Sequence, residues 1–325
     1  MTTKIKLLLC VGLLAIGGHA SGQSSIREIV DKTGKDKIQK NLMKQFPGTF
    51  CFKDGHGMNP YLTSEDQIPK TIALVTFYVY DPGMSYSSTS KTTHAATGLT
   101  TTSTSVYNFK LSEEGGNYFA NMFHQEGVGK LKETFKAHGI TLLTPDEYLN
   151  TEAKRDFYYN KFQPQISKLG NFLSRLEQKS SGVAVCADYY RGLDASAATD
   201  FKRSISLGDE LTRNLGVDAV MSIAFYVGYD GKTVTFSNIT STINGPNPVP
   251  RENKKYVGGA GAGYQEGLVY FSAYYNNFKP VKIANLKKKG AEISNESYDG
   301  IGDLMSIFGE TAVLTMKKVV AKNSK

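Results

Sequence analysis

The distribution of apolar and polar residues along the chain predicts a succession of strands and helices. Residues 71–80 are apolar at almost every position, a pattern typical of a central strand that is covered on both sides. Strict alternation assigns Ile72, Leu74 and Tyr78 to one face of this strand and Ala73, Val75, Phe77 and Val79 to the other. Shorter apolar stretches predict further strands at residues 140–143, 183–190 and 268–275.

The clearest local prediction is a β-hairpin centred on Asp230-Gly231, a residue pair that favours the type I′ turn. Apolar residues alternate with small or polar ones from Met221 to Tyr229, and residues 232–243 form the returning strand. The cross-strand pairs that a loop of Asp230 and Gly231 predicts are Tyr229 with Lys232, Val227 with Val234 and Phe225 with Phe236.

Helical spacing of apolar residues predicts helices at residues 117–137, 162–176, 197–215 and 301–319. Gly139 and Gly216 follow two of these helices, at positions where a positive φ angle costs a glycine little. Thr144, Pro145 and Glu147 have the spacing of an N-terminal capping box. The apolar stripe of the last helix requires a sheet to cover it.

Three segments are poor in regular apolar patterns. Residues 21–69 form a polar N-terminal segment with one short helical pattern, and residues 244–263 form a loop rich in proline and glycine. Fourteen of the 21 residues from Ser85 to Ser105 are serine or threonine, which predicts a mobile loop or an extended hairpin. The pattern as a whole predicts one α/β domain over residues 70–320, in which helices flank a mixed central sheet that carries the antiparallel hairpin at Asp230-Gly231.

The N-terminus has the pattern of a secretory signal peptide. Lys4 and Lys6 precede an apolar run that ends at Ile16, and small residues follow it. This run is shorter than the roughly 20 apolar residues that a membrane-spanning helix needs. We therefore expect residues 1–20 to be removed and the mature protein to be exported, either to the periplasm or outer membrane or into the medium. Cys10 lies inside the apolar run, which favours an ordinary leader over a lipid anchor.

The composition of the chain gives little support to several functional classes. The formal charge is +8, but the lysines and arginines are scattered and are not interleaved with aromatic residues, so nucleic-acid binding is not indicated. The histidine spacing matches no zinc motif, and no glycine-rich phosphate loop opens a helix. We therefore expect no metal, no cofactor, no catalytic motif and no membrane span in the mature chain.

Two cysteines remain after removal of the leader, Cys51 and Cys186. An oxidising compartment permits a disulfide between them. Cys186 lies in an apolar run that is typical of a strand, so a buried free thiol is the other possibility.

The most site-like cluster consists of Asp188, Tyr189 and Arg191, at the end of the strand predicted over residues 183–190. Ligands bind at strand ends in open α/β sheets, and these residues would offer charges of both signs beside an aromatic ring. The alternative is a purely structural cluster, in which a surface ion pair lies beside packed rings.

Two short segments resemble those of a known family. Residues 139–148, together with the strand and helix before them, and residues 215–220, which read Leu-Gly-Val-Asp-Ala-Val, are similar to exported domains related to the curli-secretion lipoprotein CsgG and to the N-terminal domain of TolB. The resemblance covers about residues 70–320 and is carried by structural motifs. It implies a mixed sheet with helices on its faces and a role in envelope assembly, secretion or protein contacts.

These observations favour an exported, non-enzymatic envelope protein that binds another periplasmic or outer-membrane component, and they are compatible with a homo-oligomer. The alternative is a secreted hydrolase or small-ligand-binding protein with its site near Asp188 and Arg191. A deep pocket that gathers His124 or His138 beside a carboxylate and a hydroxyl would favour this alternative.

Overall fold

A computed structural model describes residues 25–44, 62–81, 84–93, 100–109, 111–164, 183–193, 206–230, 232–249, 266–286 and 293–324. Several predictions fall outside these ranges. They concern the leader at residues 1–20, Cys51, most of the helix at 162–176, the first half of the helix at 197–215, and residues 250–263 of the loop rich in proline and glycine.

The predicted α/β fold with a mixed sheet is confirmed. The strands are β1 (Thr71–Asp81), β2 (Met84–Thr93), β3 (Thr100–Phe109), β4 (Thr141–Leu143), β5 (Val183–Cys186), β6 (Ala219–Asp230), β7 (Thr233–Pro246), β8 (Gly267–Leu286) and β9 (Ile293–Ser294). Seven of them form one sheet in the order β4-β1-β6-β7-β8-β9, and β5 also pairs with β1. β4 and β6 run parallel to β1, whereas β5 and the β6–β9 pairs are antiparallel.

The helices are α1 (Ile26–Thr33), α2 (Lys35–Lys44), α3 (Glu113–Ala137), α4 (Pro145–Tyr148), α5 (Glu152–Asp156), α6 (Thr212–Leu215) and α7 (Ile301–Asn323). A 3-10 turn forms at Glu65–Gln67, and π-helical turns form at Phe157–Lys161 and Ser206–Leu211. The predicted capping box begins α4, since the Thr144 amide donates to Glu147 at 2.7 Å. None of the helices within the described ranges combines the length and the apolarity that crossing a bilayer requires.

β1 is buried on both faces in the middle of the sheet, as predicted, but the predicted assignment of its faces is wrong beyond Val75. The register between β1 and β6 shifts between Leu74 and Thr76, which makes Val75 an extra residue. Such a bulge changes which side chains share a face. Phe77 and Val79 therefore pack into the same core as Leu74.

The hairpin of β6 and β7 forms at the predicted place in a different register. Asp230 pairs with Thr233, so the two-residue loop lies one position further along the chain than predicted. The predicted cross-strand pairs are therefore wrong, and the observed ones are Tyr229 with Val234, Gly228 with Thr235 and Val227 with Phe236. The turn residues mark where the chain reverses, but the packing of the strands decides which pair closes the loop.

Two apolar layers cover the sheet. Ile72, Leu74, Phe77 and Val79 of β1 belong to one of them, and Ala73 and Val75 belong to the other. The larger layer contains α1, α2, α3 and α7 and includes the ring stack of Phe123 on Phe225, with centroids 4.6 Å apart. The smaller layer contains α4, α6 and the two π-helical turns. α3 and α7 approach closely at Gly127. A Cβ atom at this position would lie only 2.8 Å from the Met305 side chain. Buried residues of α1 and α2 belong to the larger layer as well.

The tract rich in serine and threonine forms an extended hairpin. Its strands β2 and β3 pair with each other as a separate two-stranded sheet. The base of this hairpin is fixed to the main sheet by the buried carboxylate of Asp81. That carboxylate accepts hydrogen bonds from the Leu111 amide at 2.6 Å and from the Tyr229 hydroxyl.

Candidate functional site

The outer edge of β1 is shared by two short strands with a gap between them. β4 pairs with residues 71–73, and β5 pairs with residues 78–81. Buried backbone groups in such a gap require hydrogen-bond partners. The segment Ala187–Leu193, which directly follows β5, lies beside this gap and supplies polar groups to it.

Three hydrogen bonds attach this segment to β1. The Ala187 amide donates to the Phe77 carbonyl at 2.9 Å. The Thr76 hydroxyl donates to the Arg191 carbonyl and accepts from the Leu193 amide at 2.9 Å. Thr76 is fully buried, and these partners explain how a polar side chain is accommodated in the central strand.

Arg191 acts as a structural residue at this edge. Its Nη1 atom donates to the carbonyls of Tyr158 and Phe162, the latter at 3.0 Å, and its guanidinium lies 5.7 Å from the centre of the Tyr158 ring. The Tyr158 hydroxyl accepts from the Arg191 amide and donates to the Val75 carbonyl at 2.6 Å. Arg191 therefore joins the π-helical turn at 157–161 to β1, and its Nη1 atom is bonded to backbone carbonyls of that region.

Asp188 is directed toward α3 and not toward Arg191. Asn117 Nδ2 donates to Asp188 Oδ1 at 3.0 Å and to the Cys186 carbonyl at 2.9 Å. The Asp188 amide donates to Asn121 Oδ1 at 2.9 Å, and Asn121 Nδ2 donates to Asn117 Oδ1 at 3.0 Å. Because the two asparagines are four residues apart, they share one face of the helix. Together they fix both the backbone and the side chain of Asp188.

Tyr189 lies between these two attachment points and faces the solvent. Its φ angle is 69°, in the left-handed region that costs a bulky residue on the order of 1–3 kcal/mol. Its side chain is 79% exposed, and its carbonyl accepts a hydrogen bond from the Tyr159 hydroxyl at 2.8 Å. Asp188, Tyr189 and Arg191 are thus close together in the sequence, but each has a different environment in the folded protein.

An open cleft of about 620 Å³ lies between this segment and the first turn of α3. Its walls are residues 184–190 on one side and Glu113, Glu114 and Asn117 on the other. Glu113, Glu114 and Asp188 are all exposed. The cleft is therefore acidic, although the chain as a whole is basic.

His124 supports the segment from beneath and does not line the cleft. Its Nε2 atom lies 2.9 Å from the Tyr190 hydroxyl, and its ring packs edge-on against Phe77. Burial, followed by the positive charge of Lys132, lowers the pKa of His124. Burial raises the pKa of the Tyr190 hydroxyl. Both groups are therefore neutral at pH 7, and they contribute packing and a hydrogen bond.

Cys186 lines the cleft, and none of the described residues forms a disulfide with it. Burial raises the pKa of this thiol to about 11, so it is protonated at neutral pH and is a weak nucleophile. Cys51 lies outside the described residues, and the disulfide between Cys51 and Cys186 stays a prediction.

The arrangement that the hydrolase alternative requires is not assembled in the cleft. Asp188 lines it, but neither His124 nor His138 does. Within the described ranges, no group of three or more histidine, cysteine, aspartate or glutamate side chains is placed to hold a metal ion.

Sequence reasoning missed the residues that hold the segment in place, namely Thr76, Asn117, Asn121 and Tyr158. A signal for part of this set is present in the chain. Asn117, Asn121 and His124 have the spacing of one helix face, so a polar stripe accompanies the apolar stripe of α3. Such a stripe indicates that the helix contacts a polar segment as well as the core.

Comparisons of the chain with protein-family models, with curated proteins and with solved structures give no match. The resemblance to the exported CsgG- and TolB-like domains therefore stays a prediction.

Proposed function

We propose that this chain is an exported, non-enzymatic protein of the cell envelope that binds another envelope protein through Tyr189 and the adjacent cleft. The observation that carries the proposal is the way in which Tyr189 is displayed. A tyrosine ring that is 79% exposed is held at a positive φ angle between two firmly bonded neighbours. The export part of the proposal is supported by the signal-peptide pattern of residues 1–20.

Tyrosine is well suited to such a role. Tyrosine, tryptophan and arginine are enriched among the residues that dominate binding energy in protein interfaces, and a residue whose backbone is fixed before binding loses less entropy when the partner arrives. Strain of the backbone at an exposed residue is typical of functional sites. Tyr159 is 38% exposed and is bonded to the Tyr189 carbonyl, so it extends the aromatic surface.

A small-molecule site is less well supported by the same cleft. Pockets for small ligands enclose most of the ligand surface and are largely apolar. This cleft is open and is bordered by Glu113, Glu114 and Asp188. Its shape favours a partner that lies across it.

The proposal is tested by replacing Tyr189 with the photocrosslinking residue p-benzoylphenylalanine in the cells that produce the protein. The matched control places the same residue at Leu314, another large exposed side chain, which is 37% exposed on α7. We expect one discrete crosslinked product from position 189 and none from position 314. Equal products from both positions, or none from position 189, would count against a binding role for this surface.

A second measurement separates the contribution of the Tyr189 ring to binding from that of its hydroxyl group. Tyr189→Phe keeps the ring and is expected to retain the partner in co-purification, whereas Tyr189→Ala is expected to lose it. A Tyr189→Ala variant that folds normally and retains the partner would show that the ring is not the anchor.

A further inference from the structure

The strand beside the cleft has an outer edge that none of the described strands covers. β5 pairs with β1 on one side, and no strand of the described residues pairs with its other side. An unpaired edge of this kind offers backbone donors and acceptors to an added strand. Ala184, Val185 and Cys186 of this strand line the cleft.

The register of β5 shows which groups face the cleft. Tyr78 pairs with Cys186, and the Ala187 amide bonds to the Phe77 carbonyl. In an antiparallel ladder this pattern turns both backbone groups of Val185 toward β1 and those of Ala184 and Cys186 away from it. The Asn117 side chain, which donates to the Cys186 carbonyl, confirms that this carbonyl points outward. The amide and carbonyl of Ala184 and the amide of Cys186 thus face the cleft.

The charged residues that the structure describes in the lining of the cleft are all acidic. They are Glu113, Glu114 and Asp188, and none of the described lining residues is a lysine or arginine. Tyr189, which also lines the cleft, is exposed, and a cation over the face of an aromatic ring is attracted to it. A segment that bears lysine or arginine is complementary to both features.

We propose that the partner enters the cleft as an extended segment that bears lysine or arginine and adds as a strand to the outer edge of β5. This inference rests on the proposed function. One residue of this segment pairs with both backbone groups of Ala184. The pairing ends at Cys186, because Asn117 already occupies the carbonyl of that residue. Alternate side chains of the segment then reach the carboxylates and the Tyr189 ring.

The test uses a fluorescein-labelled decapeptide of alternating lysine and valine as the probe. Its affinity for the full chain is measured by fluorescence anisotropy at low and high salt. A second peptide carries N-methyl groups on alternate amides along one edge, and a third has glutamate in place of lysine. We expect N-methylation of one edge to weaken binding by about tenfold, as the loss of a few backbone hydrogen bonds implies. The glutamate peptide is expected not to bind.

Two variants of the protein test the same contact by changing the protein instead of the peptide. Ala184→Pro removes an amide that points away from β1, and proline is tolerated at such edge positions. We expect this substitution to weaken the binding of the lysine peptide by about fivefold to tenfold. Glu113→Gln combined with Glu114→Gln is expected to reduce both the affinity and its salt dependence. Glu126→Gln, an exposed residue further along α3, is the control and is expected to leave both unchanged.

The outcomes separate this inference from the proposed function. Equal binding of the N-methylated and unmodified peptides overturns strand addition even if Ala184→Pro fails to fold. If the crosslink at position 189 persists in that case, the protein-binding role stands and only its mode is wrong. If the lysine peptide binds no better than the glutamate peptide, the inference about charge is wrong.

Discussion

The layer beneath α3 and α7 and the segment Ala187–Leu193 are held in place by different interactions. In the layer, fully buried rings such as Phe123 and Phe225 stack on one another, and helices approach at glycines. In the segment, Ala187, Tyr190 and Leu193 are buried as well, but hydrogen bonds to Thr76, Asn121 and Tyr158 fix the course of the backbone. Apolar packing is worth more free energy in total, whereas directional hydrogen bonds fix the course of a short exposed segment.

The difference shows why Tyr189 can be both exposed and well placed. Tyr190 and Leu193 of the segment are turned inward and buried, whereas Tyr189 is not. Polar attachment on both sides of Tyr189 leaves its ring free to face the solvent. The same comparison predicts which substitutions affect stability and which affect binding.

The largest expected effect is in the apolar layer. Phe123→Ala should lower the free energy of unfolding by about 3–5 kcal/mol, because it removes a buried ring and leaves a cavity. Gln125→Ala, an exposed neighbour on the same helix, should change it by about 0.5 kcal/mol or less. Urea unfolding measures both. A loss below about 1 kcal/mol for Phe123→Ala would contradict the tight packing against Phe225.

Arg191→Lys should have the next largest effect. Lysine retains the charge but lacks the planar group that bonds two carbonyls while lying over the Tyr158 ring. The expected loss of unfolding free energy is about 1.5–3 kcal/mol. Arg155→Lys is the matched control, since Arg155 donates to the single carbonyl of Leu149 at 2.8 Å, and it should cost about 1 kcal/mol or less. Equal losses would show that Arg191 has no special role at the sheet edge.

Tyr189→Gly should separate stability from binding. Glycine adopts a positive φ angle without strain, although it also gives the unfolded chain more freedom. The unfolding free energy should therefore stay unchanged or rise by up to about 1 kcal/mol, while co-purification of the partner is lost. A marked loss of stability would show that the ring packs against the protein and is not displayed.

The smallest effect concerns pH. The pKa of His124 is lowered in the folded protein, so the unfolded chain binds its proton more readily. The stability that neutral His124 contributes is fully present above about pH 6.5, the ordinary pKa of histidine, and is lost as the pH falls through the lowered value. Melting temperatures at pH 7.5 and 5.5 should differ less for His124→Gln than for the native chain. An equal difference in melting temperature for the two proteins would show that His124 does not contribute to the pH dependence of stability.

Much of the fold follows from local patterns in the sequence. The apolar run of β1, the apolar stripe of α7 and the cap at Thr144 depend on residues close together in the chain, and the structure confirms them. The bulge at Val75 depends on the register with β6 and has no local signal. The hairpin at Asp230 likewise has a position that local residues predict, whereas its register depends on the packing of the two strands and could not be predicted.

The candidate site could be located from the sequence but not understood from it. Asp188, Tyr189 and Arg191 were recognisable as a polar cluster after an apolar strand. Their separate roles depend on hydrogen-bond partners in distant parts of the chain. The Phe162 carbonyl and the Asn121 side-chain oxygen accept, and the Asn117 side-chain amide donates. Only the folded arrangement shows that Arg191 belongs to the framework and Tyr189 to the surface.

Amide hydrogen exchange followed by NMR tests most directly whether the segment is held rigidly in order to display Tyr189. The amides with hydrogen-bond acceptors in the structure are those of Ala187, Asp188, Tyr190, Arg191 and Leu193. We predict that these five exchange slowly, at rates close to those of β1, while the Tyr189 amide exchanges fast. Fast exchange at all of them, as in an unstructured loop, would contradict the account.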